Sequence, residues 1–180
     1  AHSQRRGAET AAIELAAEFV RRGEDHRVVA LHAAFDGEVD AAVPVIGRGR
    51  ALRAEVRRSD LVVAHGGEAA EACALVVGRS GPPIVWQRIL GLPAGLWSSA
   101  LQRRRWAWVD RRCAAVVALT EDLAAEQVRL GRTAGTWVIP NFRDPAPFAG
   151  LDPVAAGAAL RAELGVGPDT ALIGLVGHLI

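Results

Sequence analysis

The run Arg5-Arg6-Gly7-Ala8-Glu9 places a glycine and two guanidinium groups at the start of a predicted helix. The first N–H groups of a helix have no intrahelical partner, and the helix dipole favours an anion at this end. Arginine adds donors whose planar geometry fits a phosphate. Arg6 and Gly7 are therefore candidate phosphate-binding residues. The alternative is that Gly7 only turns the chain and that the arginines are solvated.

Further polar residues directly follow predicted strands, where open parallel sheets bind their ligands. They are His65, Gly66 and Glu68 after one strand, and Arg88, Glu121 and Asn141 after three others. The imidazole of His65 can hydrogen-bond a hydroxyl, and the guanidinium of Arg88 can bind an anion. Each residue also has a plainer interpretation. His65 is then a structural histidine, and Arg88 is a solvated arginine. Glu68 and Glu121 are acids that begin helices, and Asn141 shapes a turn.

Short β-branched runs alternate with longer helical segments along the chain, a pattern typical of βαβ units and a parallel sheet. Strands are predicted at residues 27–31, 43–46, 60–64, 84–87, 114–119 and 136–139. Helices are predicted at residues 7–22, 50–58, 68–77, 96–112 and 120–130, with Thr120 capping the last of them. The sequence therefore predicts a Rossmann-like α/β fold, with at least six parallel strands and helices on both faces.

A linker is predicted between Pro140 and Pro153, where four prolines, three Asp or Asn residues and one glycine occur together. We place the domain boundary at residue 150. Beyond it, a helix at 154–164 and an apolar strand at 172–176 begin a second Rossmann-like unit. We expect residues 151–180 to be the truncated start of that domain, and the domain at 1–150 to lack its first strand, because no strand precedes the helix at 7–22.

Composition excludes several classes of function. The 180 residues include 21 arginines, no lysine and 20 acids, for a formal net charge of +1. Without a large positive field, nucleic acid is a poor candidate partner. Cys73 and Cys113 form no CxxC pair, which argues against a metal knuckle or a disulfide framework. No apolar run reaches the roughly 18 residues of a membrane span, and no signal peptide is visible. We expect a soluble, cytoplasmic protein, at most bound at a surface.

The predicted helix at 96–112 combines five arginines with three tryptophans. One apolar stripe should pack on the sheet, and it contains Trp106, Val109 and Cys113. Three apolar residues fall among the arginines on another side, namely Trp97, Leu101 and Trp108. Such a face suits peripheral contact with an anionic membrane at its inner face. A solvated face with stacked arginine and tryptophan, or contact with further residues, is the alternative.

Five motifs in order resemble the N-terminal half of the family-four glycosyltransferases, which are GT-B enzymes that use nucleotide-activated sugars. They are Arg6-Gly7-Ala8-Glu9, residues 59–65 (Ser-Asp-Leu-Val-Val-Ala-His), residues 115–121 (Ala-Val-Val-Ala-Leu-Thr-Glu), Val138-Ile139-Pro140-Asn141 with Phe148, and residues 175–179 (Leu-Val-Gly-His-Leu). Each motif alone is unspecific, but five in this order and spacing are fairly specific. The resemblance covers nearly the whole chain.

The resemblance implies retaining transfer of a sugar from a nucleotide sugar to a hydroxyl of a glycan, lipid or small molecule. No metal or other cofactor is implied. Arg6 and Gly7 would contact the donor phosphates, and Gly177 and His178 would start the donor loop of the nucleotide-binding half. The acceptor-side cleft would be formed by the residues that follow the strands, namely His65, Gly66, Glu68, Arg88, Glu121 and Asn141.

This sequence departs from the family pattern at three places. Arg6 stands where the family has a glycine, and His178 stands where arginine is usual. The histidine implicated in catalysis in some members would fall near Gln87 and Arg88, so the catalytic residue stays unassigned.

Two other functions are compatible with the same pattern. One is a doubly wound nucleotide-binding or sensor domain without transfer activity, although the paired acids of a receiver domain are missing after the first strand. The other is a nucleotide-sugar epimerase on the GT-B scaffold, which needs no acceptor. Residues beyond Ile180 would distinguish these functions from the glycosyltransferase, because the family's basic pair and spaced glutamates should appear there.

Overall fold

A computed structural model describes residues 7–33, 42–78, 80–92, 95, 98–132, 135–143 and 145–174. The chain divides into two compact units, Ala1–Arg143 and Asp144–Ile180. This division lies within the predicted proline-rich linker. None of the helices in the described ranges is long and apolar enough to cross a membrane.

The first unit is built on a four-stranded sheet. The strands are β1 (Val62–His65), β2 (Ile84–Arg88), β3 (Ala115–Ala118) and β4 (Thr136–Val138). They lie in the order β1-β2-β3-β4, and every neighbouring pair is parallel. Parallel strands need crossover connections, and helices supply them here. The Rossmann-like α/β fold predicted from the alternation of strands and helices is confirmed.

The described part of this unit contains five α-helices: α1 (Gly7–Arg21), α2 (Arg50–Arg57), α3 (Gly67–Val76), α4 (Ala100–Arg112) and α5 (Glu121–Arg129). Crossovers between parallel strands are right-handed, and the strands follow one another across the sheet. Therefore α3, α4 and α5 cover the same face. Helix α2 packs beside α3 in the same core, and α1 lies against β1.

The core is apolar and centred on the face that α3 and α4 cover. Its largest fully buried apolar side chains are Trp86, Ile84, Val109 and Val116. The ring of Trp106 stacks on that of Trp86, with centroids 5.7 Å apart. The predicted stripe of Trp106, Val109 and Cys113 therefore does pack on the sheet.

The sheet is narrower than predicted. Within the described residues, the segments at 27–31 and 43–46 meet only in an isolated parallel bridge, Ala30 to Val45. The chain bends at Val43, and Gly47 has a left-handed φ of 64°. Little extended backbone therefore remains between Val43 and Gly47 to form a strand. The prediction of at least six strands in one sheet is thus wrong for the part of the chain that is described.

Two smaller boundaries also differ. Helix α4 begins at Ala100 rather than at residue 96, because the hydroxyl of Ser99 accepts a hydrogen bond from the backbone N–H of Gln102 and caps the helix. In the second unit, residues 172–174 are not in a strand, and the rest of the predicted strand lies outside the described residues.

The second unit contains a short 3₁₀ turn at Ala146–Phe148 and helix α6 (Pro153–Leu164). A carboxylate oxygen of Asp152 accepts from the N–H of Val154 and caps α6, and Gly165 ends it with a left-handed φ of 65°. Several large apolar side chains of this unit are exposed, including Val154, Leu160 and Leu164.

Candidate functional site

The loops that follow the strands emerge along one edge of the sheet. His65 pairs in register with Gln87, and Arg88 pairs with Ala118, so neighbouring strands end at similar heights. Backbone hydrogen bonds continue just past the strand ends, from Gly66 N–H to the carbonyl of Gln87 (2.9 Å) and from Ile139 N–H to that of Ala118 (2.9 Å). The structure therefore brings the strand-end candidates to one carboxyl edge.

The start of α1 is tied to the segment that leaves this edge after β4. The Nη2 of Arg143 donates to the carbonyl oxygen of Gly7 (3.3 Å), and its Nη1 forms an ion pair with Glu14 (3.3 Å). Arg143 follows β4 by five residues, and sequence reasoning did not single it out. Gly7 is the first residue of α1, whereas the other candidate of this loop, Arg6, lies outside the described residues.

Glu68 joins the loop after β1 to the segments that follow residues 27–31 and 43–46. Its carboxylate accepts hydrogen bonds from Nε2 of His32 (2.8 Å) and from Nη2 of Arg48. Burial acts to raise the pKa of Glu68, but these two hydrogen bonds outweigh it and hold the pKa below its usual range. His32 follows the segment at 27–31 and Arg48 follows that at 43–46, so the carboxylate fastens both segments to the first turn of α3.

His32 and Arg48 were not among the sequence candidates. The rule that selected His65 and Asn141, namely that ligands meet the loops after parallel strands, also applies to the loops after residues 31 and 46. Applying it to every predicted strand would have found both residues.

The glycines between His65 and Glu68 have structural reasons of their own. Gly66 has a φ of 88°, a left-handed conformation that disfavours other residues, and it immediately precedes α3. A Cβ on Gly67 would lie 2.8 Å from Cη2 of Trp106. This loop thus needs glycine for its backbone conformation and for the close approach of α4.

His65 ends β1 and borders a cavity between β1 and residues 24–31. Its Nδ1 is buried and has no hydrogen-bond partner among the described residues. Burial lowers the pKa of His65 from 6.5 to about 4. The imidazole is therefore neutral at physiological pH and has an uncommitted nitrogen that a ligand could use.

We expect the His65 ring to titrate near pH 4 in an NMR pH series. Because the unfolded imidazole binds a proton near pH 6.5 and the folded one near pH 4, the His65 contribution to stability falls as the pH drops through this window. His65→Gln should remove that part of the pH dependence of the unfolding midpoint. A His65 midpoint near 6.5, or an unchanged pH profile in the variant, would contradict the buried neutral ring.

Arg88 differs from both sequence interpretations, because its side chain is neither solvated nor open to a ligand. The residue is 1% exposed, and its Nη2 forms an ion pair with Glu126 (2.5 Å). Its Nη1 donates to the carbonyl of Leu123 (3.0 Å), and its guanidinium lies over the ring of Trp86. The same Glu126 carboxylate accepts from the N–H of Leu92 (3.2 Å). Arg88 therefore fixes α5 and the loop after β2.

Glu121 and Asn141 are exposed at the same edge. Glu121 is the first residue of α5, and the Thr120 hydroxyl caps this helix by accepting from Leu123 N–H (3.3 Å). An acid at this position complements the helix dipole, as expected from the sequence. Asn141 follows Pro140 after β4. The remaining candidates, Gly177 and His178, lie outside the described residues.

Helix α4 uses its tryptophans for packing. Trp106 and Trp108 both pack against the core, and the guanidinium of Arg112 lies 5.6 Å from the ring centroid of Trp108. Arg105 forms an ion pair with Glu71. Trp97 lies outside the described residues, so contact of this helix with an anionic membrane stays a prediction.

The two cysteines are buried and free. Burial raises the pKa of Cys73 to about 11 and that of Cys113 to about 12, so neither is a thiolate at neutral pH. Among the described side chains, no group of three or more His, Cys, Asp or Glu is placed to hold a metal ion.

A parallel sheet with crossover helices and polar residues along its carboxyl edge is the arrangement of a Rossmann-like domain. Its fold is similar to that of HepE from Anabaena, a protein whose crystal structure was solved in complex with UDP, with a TM-score of 0.66 and 20% sequence identity. The match covers 91% of this chain and 48% of HepE, so the chain spans about half the length of that protein. No family model and no curated protein matches the sequence.

Proposed function

We propose that this chain is the acceptor-side half of a retaining GT-B glycosyltransferase, which transfers a sugar from a nucleotide sugar to an acceptor hydroxyl. The observation that carries the proposal is the similarity in fold to HepE, a protein that binds UDP. The ordered motifs that resemble the family-four enzymes support it. We propose that the nucleotide-sugar-binding half begins near residue 151, and that the acceptor is a glycan, a lipid or a small molecule.

The start of α1 is the proposed contact with the donor phosphates. The free N–H groups of its first turn favour an anion, and Gly7 lets a phosphate oxygen approach the backbone without a Cβ in the way. Arg6 adjoins Gly7 in the sequence, and the Arg143 side chain is about half exposed beside it (47%). Their positive charge supports binding of a leaving diphosphate, whose negative charge grows as the bond to the sugar breaks.

The carboxyl edge of β1 and β4 is the proposed acceptor side. A neutral His65 can exchange a hydrogen bond with a sugar or alcohol hydroxyl, whereas a charged ring would favour an anion. Glu121 and Asn141 offer exposed acceptors and donors along the same edge. Glu68 holds the loops around His65 in place through His32 and Arg48, so we assign it a positioning role.

Transfer without a metal is part of the proposal, as the resemblance to family four implies. The leaving diphosphate then depends on helix N–H groups and arginines for charge stabilisation. On the nucleotide side, Gly177 and His178 are the proposed start of the donor loop.

The 180-residue chain alone should bind nucleotide sugars feebly and transfer no sugar, because the proposed nucleotide site is built mainly by residues beyond it. Isothermal calorimetry with UDP- and GDP-sugars measures this directly, and we expect no saturation in the micromolar range. Micromolar binding by residues 1–180 would contradict the proposal and favour a self-contained nucleotide-binding or sensor domain. For a complete enzyme, turnover of a nucleotide sugar without any acceptor would favour an epimerase.

A further inference from the structure

Two polar side chains lie next to each other where β1 and β2 end. His65 is the last residue of β1, and it pairs in register with Gln87 of β2. Side chains of register partners lie on the same face of a parallel sheet, and neighbouring strands are about 4.8 Å apart. A small molecule bound at this point of the carboxyl edge would therefore meet both side chains.

The two side chains lie on the face of the sheet that α4 does not cover. Trp86 precedes Gln87 in β2, and its ring stacks on Trp106 of α4. Successive side chains of a strand point to opposite faces, so Gln87 and its register partner His65 point away from α4. The packing of α4 on the sheet thus does not account for either polar side chain.

The amide of Gln87 has no hydrogen-bond partner in the protein. The residue is 9% exposed, and its side chain forms no hydrogen bond with any described residue. Buried polar side chains usually have such partners. Neither amide atom is sealed from solvent, in contrast to those of Gln127, another buried glutamine. The amide of Gln87 is therefore available to a bound molecule.

The imidazole of His65 is available in the same way. Its Nδ1 is buried without a partner, and its Nε2 forms no hydrogen bond with any described residue. Because burial keeps the ring neutral, the ring offers one donor and one acceptor. The Gln87 amide also offers both. This combination matches hydroxyl groups, each of which donates one hydrogen bond and accepts others.

The charged residues close to the pair in the sequence are already engaged. Arg88 follows Gln87 and forms its ion pair with Glu126. Glu68 follows His65 by three residues and accepts hydrogen bonds from two basic side chains. The groups that the pair offers are neutral, so an anion would lose hydration there without gaining an opposite charge. The pair therefore favours an uncharged ligand.

We propose that His65 and Gln87 together bind two adjacent hydroxyls of an uncharged sugar ring, and that the acceptor is a glycan or a free sugar. One hydroxyl would meet the imidazole, and its neighbour would meet the amide. A lipid alcohol with a single hydroxyl would leave one of these groups unpaired and bind more weakly. The acceptor class named here rests on the proposed function, which assigns this edge of the sheet to the acceptor.

The first test measures binding to the 180-residue chain, where no sugar transfer is needed. Methyl glucoside, methyl mannoside and methyl galactoside are titrated to high millimolar concentration, and NMR follows the His65 ring and the Gln87 side-chain amide. We expect at least one glycoside to shift both sets of signals together, and cyclohexanol, which has a single hydroxyl, to bind more weakly. No response to any of the three sugars, or shifts confined to one side chain, would overturn the proposal.

Gln87→Met removes the amide and keeps the length of the side chain. It should weaken binding of the glycoside roughly threefold to tenfold, the usual effect of one lost hydrogen bond. Gln127→Met is the matched control, because Gln127 is also buried without a partner for its amide but lies in the last turn of α5. Helix α5 begins at the carboxyl edge, so its last turn lies away from that edge. Equal losses in the two variants would overturn a direct contact with the sugar.

Deoxy sugars identify the hydroxyls that the pair binds. The 2-, 3- and 4-deoxy analogues of the best glycoside should show that two adjacent hydroxyls matter for binding to the parent chain. One of these two positions should become insensitive in Gln87→Met, and the other in His65→Leu, because the partner of that hydroxyl is gone. The same pattern of losses in the parent and in both variants would overturn the proposal.

A complete enzyme that contains this chain separates this proposal from the proposed function. We expect Gln87→Met to raise KM for a sugar acceptor and to leave KM for the nucleotide sugar unchanged. Transfer with both KM values unchanged, or with only the donor KM raised, would overturn the acceptor role of the pair and leave the transferase proposal standing. Binding of glycosides to the pair in an enzyme that transfers no sugar would overturn the transferase proposal and support the hydroxyl-binding pair.

Discussion

Gly7→Val is expected to lower kcat/KM for the sugar donor by about a hundredfold in an active enzyme that contains this chain, which is the loss typical of one well-placed oxyanion donor. The branched side chain would block the approach of a phosphate oxygen to the N–H groups of the first turn of α1. A Cβ at Gly7 would lie 3.7 Å from Nη2 of Arg143, an ordinary contact, so the fold has room for the change. Steady-state kinetics with varied donor concentration measures the effect.

Arg6→Ala should lower kcat more than it raises KM, because the proposed contact of Arg6 with the diphosphate would strengthen as the sugar leaves. Gly157→Val in α6 is the matched control, since an added Cβ there meets no described atom within 4 Å and Gly157 is not one of the proposed site residues. Near-normal kcat/KM in both loop variants, with folding verified by circular dichroism, would mean that the loop is only a turn.

Local pattern was sufficient to predict most of the elements. Alternation located the four strands of the sheet to within two residues, and Thr120 and the apolar stripe of α4 occupy the positions expected of them. These features depend on contacts between residues only three or four positions apart. Such local patterns can be recognised in a single sequence. The sequence predicted strands of the sheet at residues 27–31 and 43–46, but within the described residues these segments share only the isolated bridge between Ala30 and Val45. β-Branched composition favours extended backbone, but it does not reveal whether a neighbouring strand is available to pair with it.

Long-range partners account for the errors at the site. Arg88 looked like a ligand-binding or surface residue, but Glu126, 38 positions away, pairs with it in the interior. The partners of Glu68, which are 36 and 20 positions away, make it a junction of loops in addition to an acid at a helix start. A sequence shows that a residue is charged and follows a strand. The side chain that meets it depends on how the helices pack across the sheet.

Gly67 illustrates the same limit for glycine. From the sequence, a glycine beside His65 could equally serve a ligand, but the 2.8 Å that a Cβ would leave to Trp106 gives it a packing role. The contact joins α3 and α4, which are more than 20 residues apart along the chain. The packing of the helices distinguishes Gly67 from Gly7. Among the described residues, a Cβ at Gly7 would meet only the side chain of Arg143, at an ordinary contact distance.

The largest expected loss of stability follows Arg132→Met, which should lower the free energy of unfolding by about 3–5 kcal/mol, the range for a broken buried ion pair. The Nη1 of Arg132 donates to the carboxylate of Asp110 (3.1 Å) and to its backbone carbonyl (3.0 Å). Its two Nη atoms also reach the carbonyls of Cys113, Ala114 and Gly135 at 3.1–3.3 Å. With side chains 9% and 6% exposed, water cannot replace these bonds for Arg132 and Asp110.

Urea unfolding at pH 7 measures the change, with Arg104→Met as a control on the exposed side of α4, expected within about 0.5 kcal/mol of the parent. Asp110→Asn should cost less than Arg132→Met, because the asparagine amide oxygen can still accept from the guanidinium and the backbone carbonyls remain paired. The order of the two losses is decisive. If Asp110→Asn is as damaging as Arg132→Met, the ion pair itself dominates, and the guanidinium does not act mainly as the hydrogen-bond donor that holds the end of α4 to the strands β3 and β4.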